Sequence, residues 1–180
     1  MKKIALYIVL ILVAVTACTS KNKPVQPETI VTEMSYGKLL YYGQFYDSID
    51  CHVVALDLYS DGLTLDTTDH IVGSGTNLYL SDIFIPLTDT ALSSGVYRCA
   101  DKPAPGVFLP GKDYEGTPSG TYILSINNSQ VAQIILCTDS AFVVANNGQT
   151  SDIVFNLKSE DNHYNIHFKG VLDYENRSHL

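Results

Sequence analysis

The chain has 180 residues, 46% of them hydrophobic and 10% aromatic with no tryptophan, and its 11 basic against 19 acidic residues leave a formal net charge of −8. That length predicts one domain large enough to bury a real core. An acidic chain without clustered Lys and Arg argues against nucleic acid as a partner, because phosphate binding needs such clusters.

In chain order, the first element is residues 1–17. Met1-Lys2-Lys3 precede a nearly unbroken apolar run from Ile4 to Val15, followed by Thr16-Ala17-Cys18. About a dozen apolar residues suit the h-region of a signal and fall short of the roughly 20 that span a bilayer. The run has no polar face, which argues against a buried amphipathic helix. It resembles the bacterial lipoprotein signal, and that resemblance implies cleavage before Cys18 and acylation of this cysteine on sulfur and amine. The implied mature chain, Cys18 to Leu180, has 9 basic and 19 acidic residues, a net charge of −10. Its acyl chains would hold it to a membrane at about 0.8 kcal/mol per buried methylene. Thr19-Ser20 lack the aspartate that retains some lipoproteins in the inner membrane, so the resemblance implies a cell-envelope protein of the outer rather than the inner membrane. Residues 18–33, polar after the cysteine and carrying Pro24 and Pro27, read as a flexible tether. Residues 34–180 are the domain.

Within the domain, short alternating apolar runs recur between Gly, Asn, Asp and Pro. His52 to Tyr59 alternates Val54, Leu56 and Leu58 on one face and stops at Ser60-Asp61-Gly62, a turn sequence. Asn77 to Ile85, Gly95 to Cys99 and Val107 to Leu109 follow as strands. Gly120 to Ile126 and Val131 to Cys137 flank Asn127-Asn128-Ser129 and predict a hairpin. Ile153, Phe155 and Leu157 share a face, and Tyr164, Ile166, Phe168, Gly170 and Leu172 form the cleanest period-two run. Leu63 to Ser74 reads as a strand pair or an irregular loop, and Thr88 to Ser94 as a place for a brief helical turn. Gly95-Val96-Tyr97 and Gly120-Thr121-Tyr122 open their strands alike, a local device rather than a duplication. The expected fold is all-β, an antiparallel β-sandwich or β-barrel of about nine or ten short strands.

Tyr41-Tyr42-Gly43, Leu58-Tyr59-Ser60-Asp61-Gly62-Leu63, Gly73-x-Gly75 with Leu78 and Leu80, Pro118-x-Gly120-Thr121-Tyr122 and Phe168-x-Gly170 together resemble uncharacterised all-β lipoproteins of Gram-negative gut bacteria, over about 130 residues. The resemblance implies an envelope location and no particular activity, and fold alone does not supply one.

Cys51, Cys99 and Cys137 remain beyond Cys18, enough for one disulfide among three pairings. Their spacing gives no metal-binding pair and no local signature joins one to a histidine base. Asp57, Asp61, Asp66 and Asp69, with Ser60 and Thr68, are a candidate calcium site, against the ordinary use of aspartate in turns. Tyr41, Tyr42 and Tyr46, near Tyr36 and Phe45, are candidate ligand contacts, since tyrosine can lay a ring against a sugar and bond its rim. Alternation puts Tyr42 and Tyr46 on one face and Tyr41 with Phe45 on the other. His163 and His167 would lie outward and solvated. The chain holds no Gly-x-Ser-x-Gly, no His-Glu-x-x-His and no phosphate loop, the signatures by which common hydrolases and nucleotide enzymes are read. The expected function is therefore that of a membrane-anchored binding or interaction module for a glycan or an envelope protein, and not an enzyme. The alternatives are a structural envelope component without a small ligand, or an apolar ligand carrier if a closed barrel proves empty inside.

Overall fold

In the computed structural model, which describes residues 27–147 and 149–179, the alternating runs become strands and no helix forms among the described residues. None is thus long and apolar enough to cross a membrane. Cys18 and the signal stretch lie outside the described residues. Five strands come first, β1 (Thr29–Gly43), β2 (His52–Ser60), β3 (Leu63–Leu65), β4 (Ile71–Gly73) and β5 (Gly75–Ile85). Next are β6 (Gly95–Cys99), β7 (Val107–Phe108), β8 (Lys112–Tyr114), β9 (Thr117–Ser119) and β10 (Thr121–Asn127). The last five are β11 (Gln130–Leu136), β12 (Asp139–Asn146), β13 (Ser151–Lys158), β14 (His163–Gly170) and β15 (Asp173–Asn176).

Eight of them close a barrel in the order β5, β2, β1, β14, β13, β12, β6, β7, with β7 pairing back onto β5. The choice between sandwich and barrel is thereby settled in favour of the barrel. Most joints are antiparallel, but β1 runs parallel to β14 and β6 parallel to β7, so the sheet is mixed. Strand β5 forks. Its first half, Gly75 to Leu80, pairs with β10, and Ile83-Phe84 pair with β7. The β10–β11 hairpin therefore stands off the barrel as a ribbon. Its turn residues Asn128 and Ser129 have φ of 49° and 64°, the doubly left-handed geometry that matches strand twist in a two-residue loop.

An eight-stranded barrel encloses just enough room for side chains, and this one is filled. Phe108, Phe142, Phe155 and Phe168 are 1% exposed or less, among Leu56, Leu58, Leu78, Leu80 and Ile153. Each such side chain stabilises the fold by roughly 1.5–3 kcal/mol relative to an exposed one. The open interior required of an apolar carrier is absent among the described residues. Two smaller clusters sit on the outside of the wall. Tyr59, Leu63 and Ile126 lie beside Leu65 and Ile71 of the β3–β4 pair, and Cys51, Val53 and Phe84 lie beside Tyr46 and Ile49 of the loop after β1.

Three regions differ from expectation, and in a fourth, Leu63 to Ser74, one of the two alternatives is the one that forms. β1 begins at Thr29, inside the stretch expected as tether, because Ile30 packs against the core and Thr29 to Met34 pair with β14. Leu63 to Ser74 contains the strand pair β3–β4. Thr88 to Ser94 holds no helical turn, only a tight turn closed by the Asp89 N–H donating to the Pro86 carbonyl at 2.9 Å. β8, β9, β12 and β15 are strands that no alternating run announced.

Candidate functional site

The outer face of the wall at β1, β2, β5 and β10 carries the tyrosines, and a cleft of 290 Å³ opens there between Tyr42, Phe45, Tyr46, Val53, Tyr79, Ser81, Asp82 and Ser119. Local chain geometry explains how it forms. β1 ends at Gly43, whose φ of 64° suits a residue without Cβ. The Phe45 N–H donates back to the Gly43 carbonyl at 3.0 Å, and the Ile49 N–H to the Tyr46 carbonyl at 3.1 Å. This tight reversal folds the next two aromatic residues over the strand end. Tyr42 and Phe45 meet edge to face at 5.9 Å, and Phe45 and Tyr46 at 5.0 Å. Phe45 is nonetheless 59% exposed.

The polar end of the cleft is made by a β-bulge. Val54 faces Ile83 and Leu56 faces Leu80, so Ala55 alone opposes both Ser81 and Asp82. A bulge re-aims side chains, and here both polar residues line the outer cleft at the fork of β5. The Tyr46 hydroxyl donates to Asp82 Oδ1 at 2.7 Å and the Ser81 hydroxyl to Oδ2 at 2.5 Å, while Ser81 Oγ accepts the Gly120 N–H at 2.9 Å. Burial and the bond to Asp82 push the Tyr46 phenol up to about 12. The phenol therefore stays a proton donor across ordinary pH, and the bond is kept. No Lys or Arg lines the cleft. Arg177 stands beside Tyr42 at the edge of the cleft and is paired with Glu175 at 2.8 Å, and Lys38 on the same face is paired with Asp69 at 2.7 Å. Aromatic faces, one carboxylate and two serine hydroxyls suit a neutral, hydroxyl-bearing ligand with an apolar side.

Of the tyrosines expected to bind, Tyr42 and Tyr46 share the cleft, but not through alternation along one strand: β1 ends at Gly43, and the loop after it brings both Tyr46 and Phe45, the latter expected on the opposite face, to the side of Tyr42. Tyr41 does not share it. It turns into the barrel end, 8% exposed, where its hydroxyl lies 3.0 Å from His52 Nδ1 and its ring stacks on Tyr174 at 6.3 Å. Tyr79, Ser81, Asp82 and Ser119 went unread. The signal for the bulge is in Leu78-Tyr79-Leu80-Ser81-Asp82-Ile83-Phe84-Ile85, where the positions that face the barrel interior shift from even (Leu78, Leu80) to odd (Ile83, Ile85) across Ser81-Asp82.

The four aspartates do not converge. Asp57 faces outward from β2, accepts from the Tyr59 hydroxyl and from Asn77 Nδ2 at 2.6 Å, and burial pushes its carboxyl up. Asp61 sits in the turn after β2. Asp66 accepts from the Thr68 hydroxyl at 2.7 Å and from the Thr68 and His70 N–H groups at 2.8 and 3.0 Å, which hold its carboxyl down to about 2. Asp69 pairs with Lys38. Asp57, Asp66 and Asp69 each serve a partner of their own, and among the described residues no three His, Cys, Asp or Glu side chains form a metal-holding group.

Cys51, Cys99 and Cys137 are free thiols, so the disulfide considered among them is not formed. Cys51 belongs to the outer cluster and Cys137 to the interior, which separates that pair across the wall. Burial pushes Cys99 up to about 11 and Cys137 up to about 12, and a thiol so raised is a poor nucleophile at neutral pH. His167 is not simply solvated. Its Nδ1 lies 2.9 Å from Glu33 Oε2 and its Nε2 2.9 Å from Asp152 Oδ1, bridging β1, β14 and β13.

Other clefts lack this chemistry. One of 490 Å³ beside Arg98, Lys158 and His163 is polar, and one of 310 Å³ lies between β11 and the turn at Ser159–Asn162. Neither groups aromatic rings. Compared with known proteins, the chain matches no family model, no curated protein and no solved structure.

Proposed function

We propose that the chain is a lipid-anchored envelope lipoprotein, held through Cys18 near the outer membrane, whose outer-face cleft binds a neutral glycan. The observation that carries this reading is Phe45, a phenylalanine ring left 59% exposed and clasped edge-on by Tyr42 and Tyr46. Exposed aromatic rings held rigidly beside polar groups are the usual makings of a recognition surface. A pyranose offers such a site an apolar C–H face for the rings and hydroxyls for Asp82, Ser81 and Ser119. The acidic surface, and the pairing of Lys38 and Arg177 with carboxylates of this chain, argue against anionic ligands.

The test is a thermal-shift screen of the full chain in a detergent without a sugar headgroup, against neutral mono- and oligosaccharides. A ligand that binds only the folded state raises the midpoint. We expect a rise with at least one neutral sugar class, abolished in Phe45→Ala. A panel without any shift favours a structural role in the envelope instead.

A further inference from the structure

The cleft beside Phe45 has a companion on the same outer face. A second, smaller cleft of 120 Å³ is lined by Asp113, Gly116, Pro118, Ile134 and Leu136. The β8–β9 hairpin borders both, with Ser119 on the first and Pro118 on the second. Strand register shows what lies between them. Tyr79 of the first cleft pairs across β5–β10 with Tyr122, and Tyr122 pairs across β10–β11 with Leu136 of the second. Side chains directly opposite in neighbouring strands stand on one face, so Tyr122 is the step from one cleft to the other. The Tyr79 and Tyr122 rings lie 5.3 Å apart, tilted by 35°. Two strand spacings separate Tyr79 from Leu136, about 10 Å, close to the length of a disaccharide.

We infer that the ligand is a linear oligosaccharide laid across the strands, with one end on Phe45 and Tyr46, its middle over Tyr79 and Tyr122, and its far end against Ile134 and Leu136. The inference rests on the glycan reading above. Ile134 is 45% exposed on a strand without a charged residue, an apolar stop suited to the C–H face of a distal sugar. Pyranoses whose hydroxyls are all equatorial leave both ring faces to C–H bonds, so β-1,4-linked chains fit a run of rings best. Two joined subsites bind a linked ligand more tightly than either binds alone, because the second contact is intramolecular.

The test is calorimetric titration of the full chain, in the same type of detergent, with oligomers of one to six units of β-1,4-linked glucose, N-acetylglucosamine, mannose and galactose. In the series that binds, affinity is expected to rise tenfold or more between two and four units and then level off. Tyr122→Ala should reduce the affinity of four-unit chains tenfold or more, and by more than it reduces that of two-unit chains, so that the gain with length is lost. Ile134→Ser, at an exposed position that the fold does not need, should do the same in part. Binding that is independent of chain length, or length dependence untouched by both variants, overturns the inference and leaves the glycan site standing. If no oligomer of any length binds, both readings fall.

Discussion

The inner and outer faces of this barrel wall are made by the same strands and differ in how their side chains are satisfied. Inside, Phe142 stacks on Tyr97 at 4.7 Å and meets Phe155 and Phe108 at 5.1 and 5.2 Å; these rings are buried, and the only polar group among them, the Tyr97 hydroxyl, is satisfied by the Ser93 backbone. Outside, every ring beside the cleft has a polar neighbour or an exposed edge, as Tyr46 has Asp82 and Phe45 has solvent. Close packing makes the interior intolerant of change. The outer face, held by a loop and a bulge, is where a residue can serve a ligand at little cost to stability. The difference separates residues that hold the fold from residues that would recognise something.

The largest effect should come from the interior. Phe142→Ala leaves a cavity among three aromatic rings and is expected to cost about 3–5 kcal/mol in chemical denaturation. Where the variant folds, its sugar affinity should be unchanged. A loss of binding without a loss of stability would break the division between the two faces.

Gly120 tests the seam between them. Its φ is 72°, and a Cβ there would lie 2.1 Å from the Pro110 carbonyl oxygen. Gly120→Ala is expected to cost about 1–3 kcal/mol from backbone strain. It should also weaken binding, because the Gly120 N–H anchors Ser81 Oγ in the cleft. The parallel glycine, Gly95, has nothing within 4 Å of a Cβ position, so the likeness of the two Gly-x-Tyr strand openings hides a difference in need. Unfolding midpoints of the two alanine variants compare them directly.

The sharpest contrast with Phe142 is Phe45→Ala. An exposed ring contributes little to folding, so stability should change by no more than about 0.5 kcal/mol, while affinity for the bound sugar falls tenfold or more, about 1.4 kcal/mol. Denaturation and titration of the same preparation check both halves.

How much of this was legible follows from where the information lies. β2, β5, β6 and the β10–β11 hairpin were readable because alternation and turn residues are local. β12 was not, since Ala141-Phe142-Val143-Val144-Ala145 buries Phe142 and Val144 but exposes Val143 by 43%, blurring the period. β15 has no apolar alternation at all, and it forms because β1 extends beyond β14 and offers it a partner at Lys38 to Tyr41. Barrel closure through parallel β1–β14 pairing joins residues more than 130 positions apart, which no local pattern records. For the cleft, Tyr42 and Tyr46 were visible as a pair. Asp82 was not, because it is brought to Tyr46 by a bulge whose only trace is the slip in phase along β5.

The smallest expected effect lies at the outer joint between β1 and β14. Both nitrogens of His167 face carboxylates, Glu33 on β1 and Asp152 on β13, and Lys169 lies 3.1 Å from Asp152. An imidazole that donates at both nitrogens must carry both protons. The hydrogen bond to Asp152, with a further one to Glu33, outweighs desolvation and raises the His167 pKa above its ordinary 6.5. The same contacts lower Asp152 below its ordinary 3.8. By linkage, a raised histidine stabilises the fold fully below about pH 6.5, and the contribution is lost as pH climbs through its folded pKa. A lowered carboxylate contributes fully above about pH 3.8, and its share is lost as pH falls through its folded pKa. The clamp is therefore strongest between these limits. His167 is 34% exposed, so screening keeps its share under about 1 kcal/mol. Unfolding midpoints measured from pH 5 to pH 8 should fall with rising pH more steeply in the native chain than in His167→Gln. Parallel curves would mean that the two carboxylates hold β1 no better than solvent does.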